Sequence, residues 1–305
     1  MGAETKSRKP ARGPMRLKLH ERRRFWGQAG FTLLTNANLG GFFRGKIYQG
    51  GLKQVCVPGL NCYSCPGALG SCPLGSWQSL VLDPLVKIPY YVIGFLLGFG
   101  LIFGRLICGR LCPFGWFQEL LYKIPLPKLK LSRSGKLDRL LRNVKFVLLS
   151  FLVLIFPVLA WQELVKSPLF CQYVCPAGTV SGGWPLLLAG ADPGLRLMLG
   201  WVFSWKTALT ILIILLSMTL FRPFCRYVCP LGAWYGLCNK FSLYQLNFTP
   251  SACVDCGLCE RECPMDIEVR KNLNSVECIR CGRCKAVCPT AALNSNWSGK
   301  RHENI

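Results

Sequence analysis

Cys253-Val-Asp-Cys256-Gly-Leu-Cys259-Glu-Arg-Glu-Cys263-Pro264 is followed, after a short gap, by Cys278-Ile-Arg-Cys281-Gly-Arg-Cys284-Lys-Ala-Val-Cys288-Pro289. Both stretches have the spacing C-x2-C-x2-C-x3-C-P. Three closely spaced thiolates cap one iron–sulfur cubane. The fourth cysteine, placed before a proline that turns the chain away, ligates the neighbouring cubane. The spacing therefore predicts one [4Fe–4S] cluster on Cys253, Cys256, Cys259 and Cys288, and a second on Cys278, Cys281, Cys284 and Cys263. Zinc knuckles and disulfides are the bland alternatives. Zinc closes with four ligands at looser spacing and has no use for a crossed cysteine before proline, so the doubled motif favours clusters.

Outward from this stretch, the chain has 305 residues, 51% of them hydrophobic, with 19 cysteines and a formal charge of +23. That length fits two domains. Dense cysteine in repeated C-x-x-C spacing, in a chain that is neither short nor secreted, points to metal binding rather than a disulfide scaffold. The charge alone would suit nucleic acid. Long apolar runs argue instead for a membrane protein whose cytoplasmic loops carry Lys and Arg, with no nucleic-acid partner. Only His20 and His302 are present, both in polar termini, which excludes bis-histidine haem in a bilayer. There is no C-x-x-C-H for haem attachment and no Gly-rich dinucleotide or phosphate loop.

In chain order, residues 1–24 form a basic segment, expected to be disordered, cytoplasmic and held near anionic headgroups. Phe25–Phe43 is a first candidate span, interrupted by Asn36 and Asn38. Tyr90–Ile107, Phe146–Trp161 and Trp201–Phe221 follow, so four helices are predicted to cross. Residues 184–200, broken by Pro185 and Asp192-Pro193-Gly194, read as a re-entrant piece. The 50–88 and 162–200 loops are poor in Lys and Arg. The N-terminus and the 123–145 loop are rich in them. Both termini are therefore expected in the cytoplasm, with the poor loops outside.

A second repeat, Cys-Pro-x-Gly, follows successive helices at Cys72, Cys112, Cys175 and Cys229. In the last three a cysteine also stands four residues earlier, which puts both thiolates on one helical face. The Pro-x-Gly is expected to break the backbone around a cofactor. Topology pairs Cys108 and Cys112 with Cys225 and Cys229 as an inner cluster site. Cys171 and Cys175 pair with Cys72 and either Cys65 or Cys62 as an outer one, with Cys65 preferred. The two sites are expected at opposite faces of the membrane. Cys56 and Cys238 read as inert buried thiols. Arg105, Arg110, Arg222 and Arg226 adjoin the inner motif. Arg110 and Arg226 are assigned to offset the negative charge of its cluster, against the alternative that such side chains snorkel to the interface.

The expected fold is mainly α. A polytopic membrane domain with four transmembrane helices (residues 25–244) precedes an α+β two-cluster [4Fe–4S] ferredoxin-like module (245–292) and a polar tail (293–305). The Cys108-Gly-Arg-Leu-Cys-Pro-Phe-Gly115 and Cys225-Arg-Tyr-Val-Cys-Pro-Leu-Gly232 motifs, with that module, resemble the membrane polyferredoxins of the NapH/NosR type over roughly residues 25–292. Asn61-Cys62-Tyr63-Ser64-Cys65-Pro66-Gly67 resembles a small four-helix subgroup. The resemblance implies a multi-pass protein of the cell membrane carrying electrons between a cytoplasmic or membrane donor and a reductase or flavoprotein outside. Any flavin would sit on that partner rather than in this chain. NapH-type members are associated with quinol oxidation, which makes a quinol-oxidising subunit one alternative. An accessory protein that matures a partner metalloenzyme is another.

Overall fold

The computed structural model describes residues 13–82, 89–129, 135–159, 167–189 and 200–297. Residues 1–12 of the basic segment, parts of the 83–88, 130–134, 160–166 and 190–199 loops, and 298–305 of the tail lie outside the described residues. The chain is mainly helical.

The first helix, Gly13–Thr35, departs from expectation at both ends. It starts inside the basic segment and stops before Phe43, so Phe25–Phe43 is not one span. Asn36 ends it. Its side-chain amide and the Thr35 hydroxyl hydrogen-bond back to the carbonyls of Thr32 and Phe31, the first of which also accepts the Asn36 backbone N–H, so the side chains compete with the helix for its own last carbonyls. Asn38 then donates to the Pro66 carbonyl at 2.8 Å, tying the turn to the Cys-rich loop. The basic half is ordered because its charges find partners: Arg24 pairs with Glu119 at 2.7 Å and Glu21 with Arg283 at 2.6 Å.

Tyr90–Phe103 is an apolar helix of 14 residues. It stops at Gly104, whose φ of +55° suits a residue without Cβ, and a new turn, Leu106–Arg110, begins beyond it. The helix from Lys136 runs through π-helical turns at Leu149–Ile155 to Leu159. Among the described residues one helix, Trp201–Thr219, is long and apolar enough to cross a membrane.

A large core cluster gathers Cys72, Cys108, Cys112, Cys175 and Cys229 with Phe114, Phe170, Phe224 and Tyr235. The cysteine motifs thus lie at the centre of the molecule. The C-terminal module closes with an antiparallel pair, β1 (Leu246–Phe248) and β2 (Leu293–Ser295). It packs through a second, smaller cluster of Phe221, Met265, Ile267, Ile279 and Cys281. Buried charges fasten it to the helices. Lys145 Nζ lies 2.5 and 2.6 Å from the Glu277 carboxylate, and Arg226 bridges Asp138 (3.1 Å) and Asp266 (3.0 Å).

Candidate metal centres

All four Cys-Pro-x-Gly motifs share one local geometry. Each cysteine is extended (φ −66° to −74°) and serves as the N-cap of a new helix whose first residue is the proline. Proline fits there because the first helical N–H has no intrahelical partner. The backbone therefore breaks at the cysteine, and Pro-x-Gly starts the next helix rather than ending the previous one. In the inner pair the glycine N–H points back at the sulfur: Gly115 N to Cys112 Sγ at 3.4 Å, Gly232 N to Cys229 Sγ at 3.3 Å. A thiolate so placed gains both the orphan donor and the positive end of the helix.

Cys108, Cys112, Cys225 and Cys229 are all buried and lie within electrostatic reach of one another. Their surroundings are crossed. Arg105, three residues before Cys108, donates to the Cys225 carbonyl at 2.8 Å and packs over Gly232. Arg222, three before Cys225, donates to the Cys108 carbonyl and packs over Gly115. A side chain on either glycine would push a guanidinium away. Both arginines are fully buried (0% exposed). Gln118 Nε2 adds a donor to Cys225 Sγ at 3.1 Å.

Arg110 and Arg226, the arginines assigned to this role from sequence, are elsewhere. Arg110 is exposed and lies near Gly282. Arg226 is engaged with Asp138 and Asp266. Their partners explain the correction: Asp138 and Asp266 draw the Arg226 guanidinium toward the module, and Arg110 turns to the surface beside Gly282.

A second cavity is lined by Cys62, Cys72, Cys171 and Cys175, with Leu60, Tyr63 and Phe170. Cys62 thus joins the outer set where Cys65 was preferred. Cys65 lines a neighbouring cavity, with its sulfur 3.7 Å from Asn36 Oδ1. The reason is local. Cys65 follows a turn in which its N–H bonds the Cys62 carbonyl, and Cys62 lines both cavities while Cys65 lines only the neighbouring one. A Cβ on Gly178 would lie 3.3 Å from Cys62 Sγ, and one on Gly75 3.7 Å from Cys171 Sγ. Each glycine thus stands beside the other half's cysteine, where in the inner set it meets the other half's arginine.

In the module, one cavity is lined by Cys263, Cys278, Cys281 and Cys284 and another by Cys253, Cys256, Cys259 and Cys288. These are the two groups the crossed spacing defines. All nineteen cysteines are free thiols, so no disulfide forms. Among the described residues no three His, Cys, Asp or Glu side chains converge on a single ion; each set surrounds a space instead. Burial pushes the Cys278 thiol up to about 12. Ionising four such thiols together needs a multivalent cationic centre. An all-thiolate donor set around a cavity fits a [4Fe–4S] cubane.

A 4Fe-4S binding domain family matches this chain three times, at residues 90–133, 146–190 and 201–245, and a second 4Fe-4S binding domain family matches at 273–294. An uncharacterised protein of Methanocaldococcus jannaschii is 37% identical over 182 residues, 58% of this chain and 66% of its own length. The methylamine utilization ferredoxin-type protein MauN of Paracoccus denitrificans is 31% identical over 212 residues, 65% of this chain and 62% of its own. The regulatory protein NosR of Stutzerimonas stutzeri is 26% identical over 193 residues, 61% of this chain and 23% of its own. The chain thus matches less than two thirds of each of these relatives. No solved structure matches. The repeated matches fall on the helix–Cys-Pro-x-Gly units and the last on the crossed motif; the chain belongs to the ferredoxin-type 4Fe–4S family of the NosR/NapH kind.

Proposed function

We propose that this protein is a multi-pass membrane electron-transfer protein that relays single electrons between a cytoplasmic donor at the C-terminal module and an acceptor at the outer face, through four [4Fe–4S] clusters. The observation that carries the reading is the grouping of sixteen of the nineteen cysteines into four sets of four. The ligand sets are Cys253, Cys256, Cys259 and Cys288; Cys263, Cys278, Cys281 and Cys284; Cys108, Cys112, Cys225 and Cys229; and Cys62, Cys72, Cys171 and Cys175. Bound there, a cubane supplies a one-electron couple. The chain's own residues ligate, exclude water and set charge. Arg105 and Arg222, each also paired with a carboxylate (Glu277 at 3.3 Å, Glu119 at 2.7 Å), lend part of their positive charge to a thiolate-held centre in the dry interior, and Gln118, Gly115 and Gly232 donate to its sulfurs.

Trp201–Thr219 supports the membrane assignment: only 17% of its apolar window is buried, so its Ile and Leu side chains face outward where a lipid phase would meet them. Tyr90, Tyr91, Trp201 and Trp205 are exposed at the starts of two apolar helices, as an interfacial aromatic belt would place them on the outer side. The apolar end of the Gly13–Thr35 helix and the apolar part of the helix from Lys136, residues 146–159, supply the other two membrane segments of this reading, with both termini cytoplasmic. A quinol-oxidising role is the second reading. It is favoured by a cavity of about 240 Å³ lined by Phe42, Trp116 and Phe117, with Asn36, Asn61 and Ser181 as polar groups.

An iron and sulfide count on anaerobically purified protein tests the relay. About sixteen irons per chain are expected, four for each cubane; about eight would leave only the module loaded and end the membrane-cluster reading. Cys62→Ala should remove one cluster's iron while Cys65→Ala keeps it, and the reverse pattern would return the fourth outer ligand to Cys65.

A further inference from the structure

Two glycines mark the places where one cysteine set touches the next. Gly109 follows Cys108, and a Cβ on it would overlap the carbonyl oxygen of Ile279, which lies between Cys278 and Cys281. The first helix clamps this point, since Arg24 Nη1 (3.2 Å) and Gln28 Nε2 (3.3 Å) both donate to the Gly109 carbonyl. From the other side the outer loop folds deep into the helices. A Cβ on Gly59 would stand 2.9 Å from Pro113 Cδ and 3.0 Å from Cys112 Cα. Leu60, the next residue, already lines the outer cavity with Cys62 and Cys72. Tyr235, fully buried, pins the preceding residue by donating to the Pro58 carbonyl at 3.1 Å. It lies within electrostatic reach of Cys108 and Cys112 on the inner side and Cys72 on the outer. The two membrane-domain sets are therefore neighbours across one layer of backbone, closer than sites at opposite faces of a bilayer would be.

We infer that Gly109 and Gly59 are positioning residues that fix the order module, inner set, outer set, each holding one electron step short by letting its backbone lie directly against the next motif, the Ile279 carbonyl at Gly109 and the Cys112–Pro113 step at Gly59. This order rests on the relay proposed above and adds to it which set feeds which and what holds them together. In each step one electron leaves a reduced centre, which is oxidised, and enters the next, which is reduced; no bond forms or breaks and no proton moves. A low-potential one-electron donor supplies the module, and an oxidant at the outer face removes the electron.

The test uses the full chain in detergent, iron-loaded, reduced by photogenerated deazaflavin radical and freeze-quenched for EPR. Gly109→Ala should slow the appearance of both membrane-domain signals, and Gly59→Ala that of the outer signal alone, each by about tenfold or more, as an ångström-scale misplacement does. Midpoint potentials and iron content should stay at wild-type values. Wild-type kinetics in fully loaded variants would overturn the order. Tyr235→Phe, which removes only the bond to Pro58, should give a smaller delay confined to the outer signal. Should the glycine variants not load, fully reduced wild-type protein decides: spin–spin broadening among the membrane-domain signals supports the contacts, and independent signals overturn them. A wild-type count of about eight irons would instead sink the relay itself.

Discussion

Residues 253–264 and 278–289 follow the same backbone path. Asp255 and Arg280, equivalent in the two copies, both sit at φ 50°, and Gly257 and Gly282 at 67° and 81°. After the fourth cysteines, Asp266 and Ala291 again match at 53°. What hangs on this shared trace differs. Asp255 is largely in water, paired with Arg270 at 2.7 Å on the surface, and Cys256 beside it is exposed. Arg280 is buried. It donates to the carbonyls of Phe103 (3.1 Å) and Asn239 (2.7 Å) and to the Ser242 hydroxyl (2.6 Å), and it stacks on Tyr244. One copy faces solvent; the other is plugged into the helical domain. A left-handed φ suits aspartate and is uncommon for arginine, so the second copy keeps that geometry because its surroundings hold it there.

The difference between the copies can be broken most sharply at Arg280. Arg280→Ala leaves several buried acceptors without a donor, at a cost of about 3 kcal/mol, and should free the module from the helices. Limited proteolysis between residues 239 and 246 would report it, and wild-type resistance would contradict the plug. A gentler break is acid. Burial alone would raise the Asp138 carboxyl, but the Tyr227 hydroxyl and the Arg226 and Arg142 guanidinium groups outweigh it and hold it below the usual aspartate range. A carboxyl depressed on folding adds stability that is complete above its unfolded value of about 3.8 and is lost as pH falls through the lower folded value. Melting temperature should therefore fall with pH in that acid window, and less steeply in Asp138→Asn. Smallest of all is Asp255→Ala. Its ion pair is exposed, and such pairs contribute little, so the melting temperature should not move measurably.

Sequence spacing grouped the module's eight cysteines because three of each set stand three residues apart in one loop, and the doubled motif brings each fourth cysteine from the other copy. The inner group was also legible, since Cys108/Cys112 and Cys225/Cys229 each occupy one helical turn and end helices on the same side. Cys62 was not separable from Cys65. Its partner Cys72 is ten residues away, and only the folded loop decides which sulfur turns inward. Arg105 and Arg222 carried a usable signal, three residues before each first cysteine, which proximity to the motif alone does not rank above Arg110 and Arg226. The helix boundary at Asn36 depended on a hydrogen bond to its own last turn. The order in the basic segment came from Glu119, which pairs with Arg24, and from Arg283, which pairs with Glu21, partners no local window contains.

His20, in the first helix, contacts the Cys281 carbonyl at 2.8 Å across a separation of 261 residues. During synthesis the helix is made first and this partner 261 residues later, so loop closure of this length comes late. Until then Gly109 has its clamp from Arg24 and Gln28 but nothing to be clamped against. Docking of the C-terminal module is thus the event that completes the N-terminal helix, and a chain interrupted before residue 281 would leave its earliest element waiting.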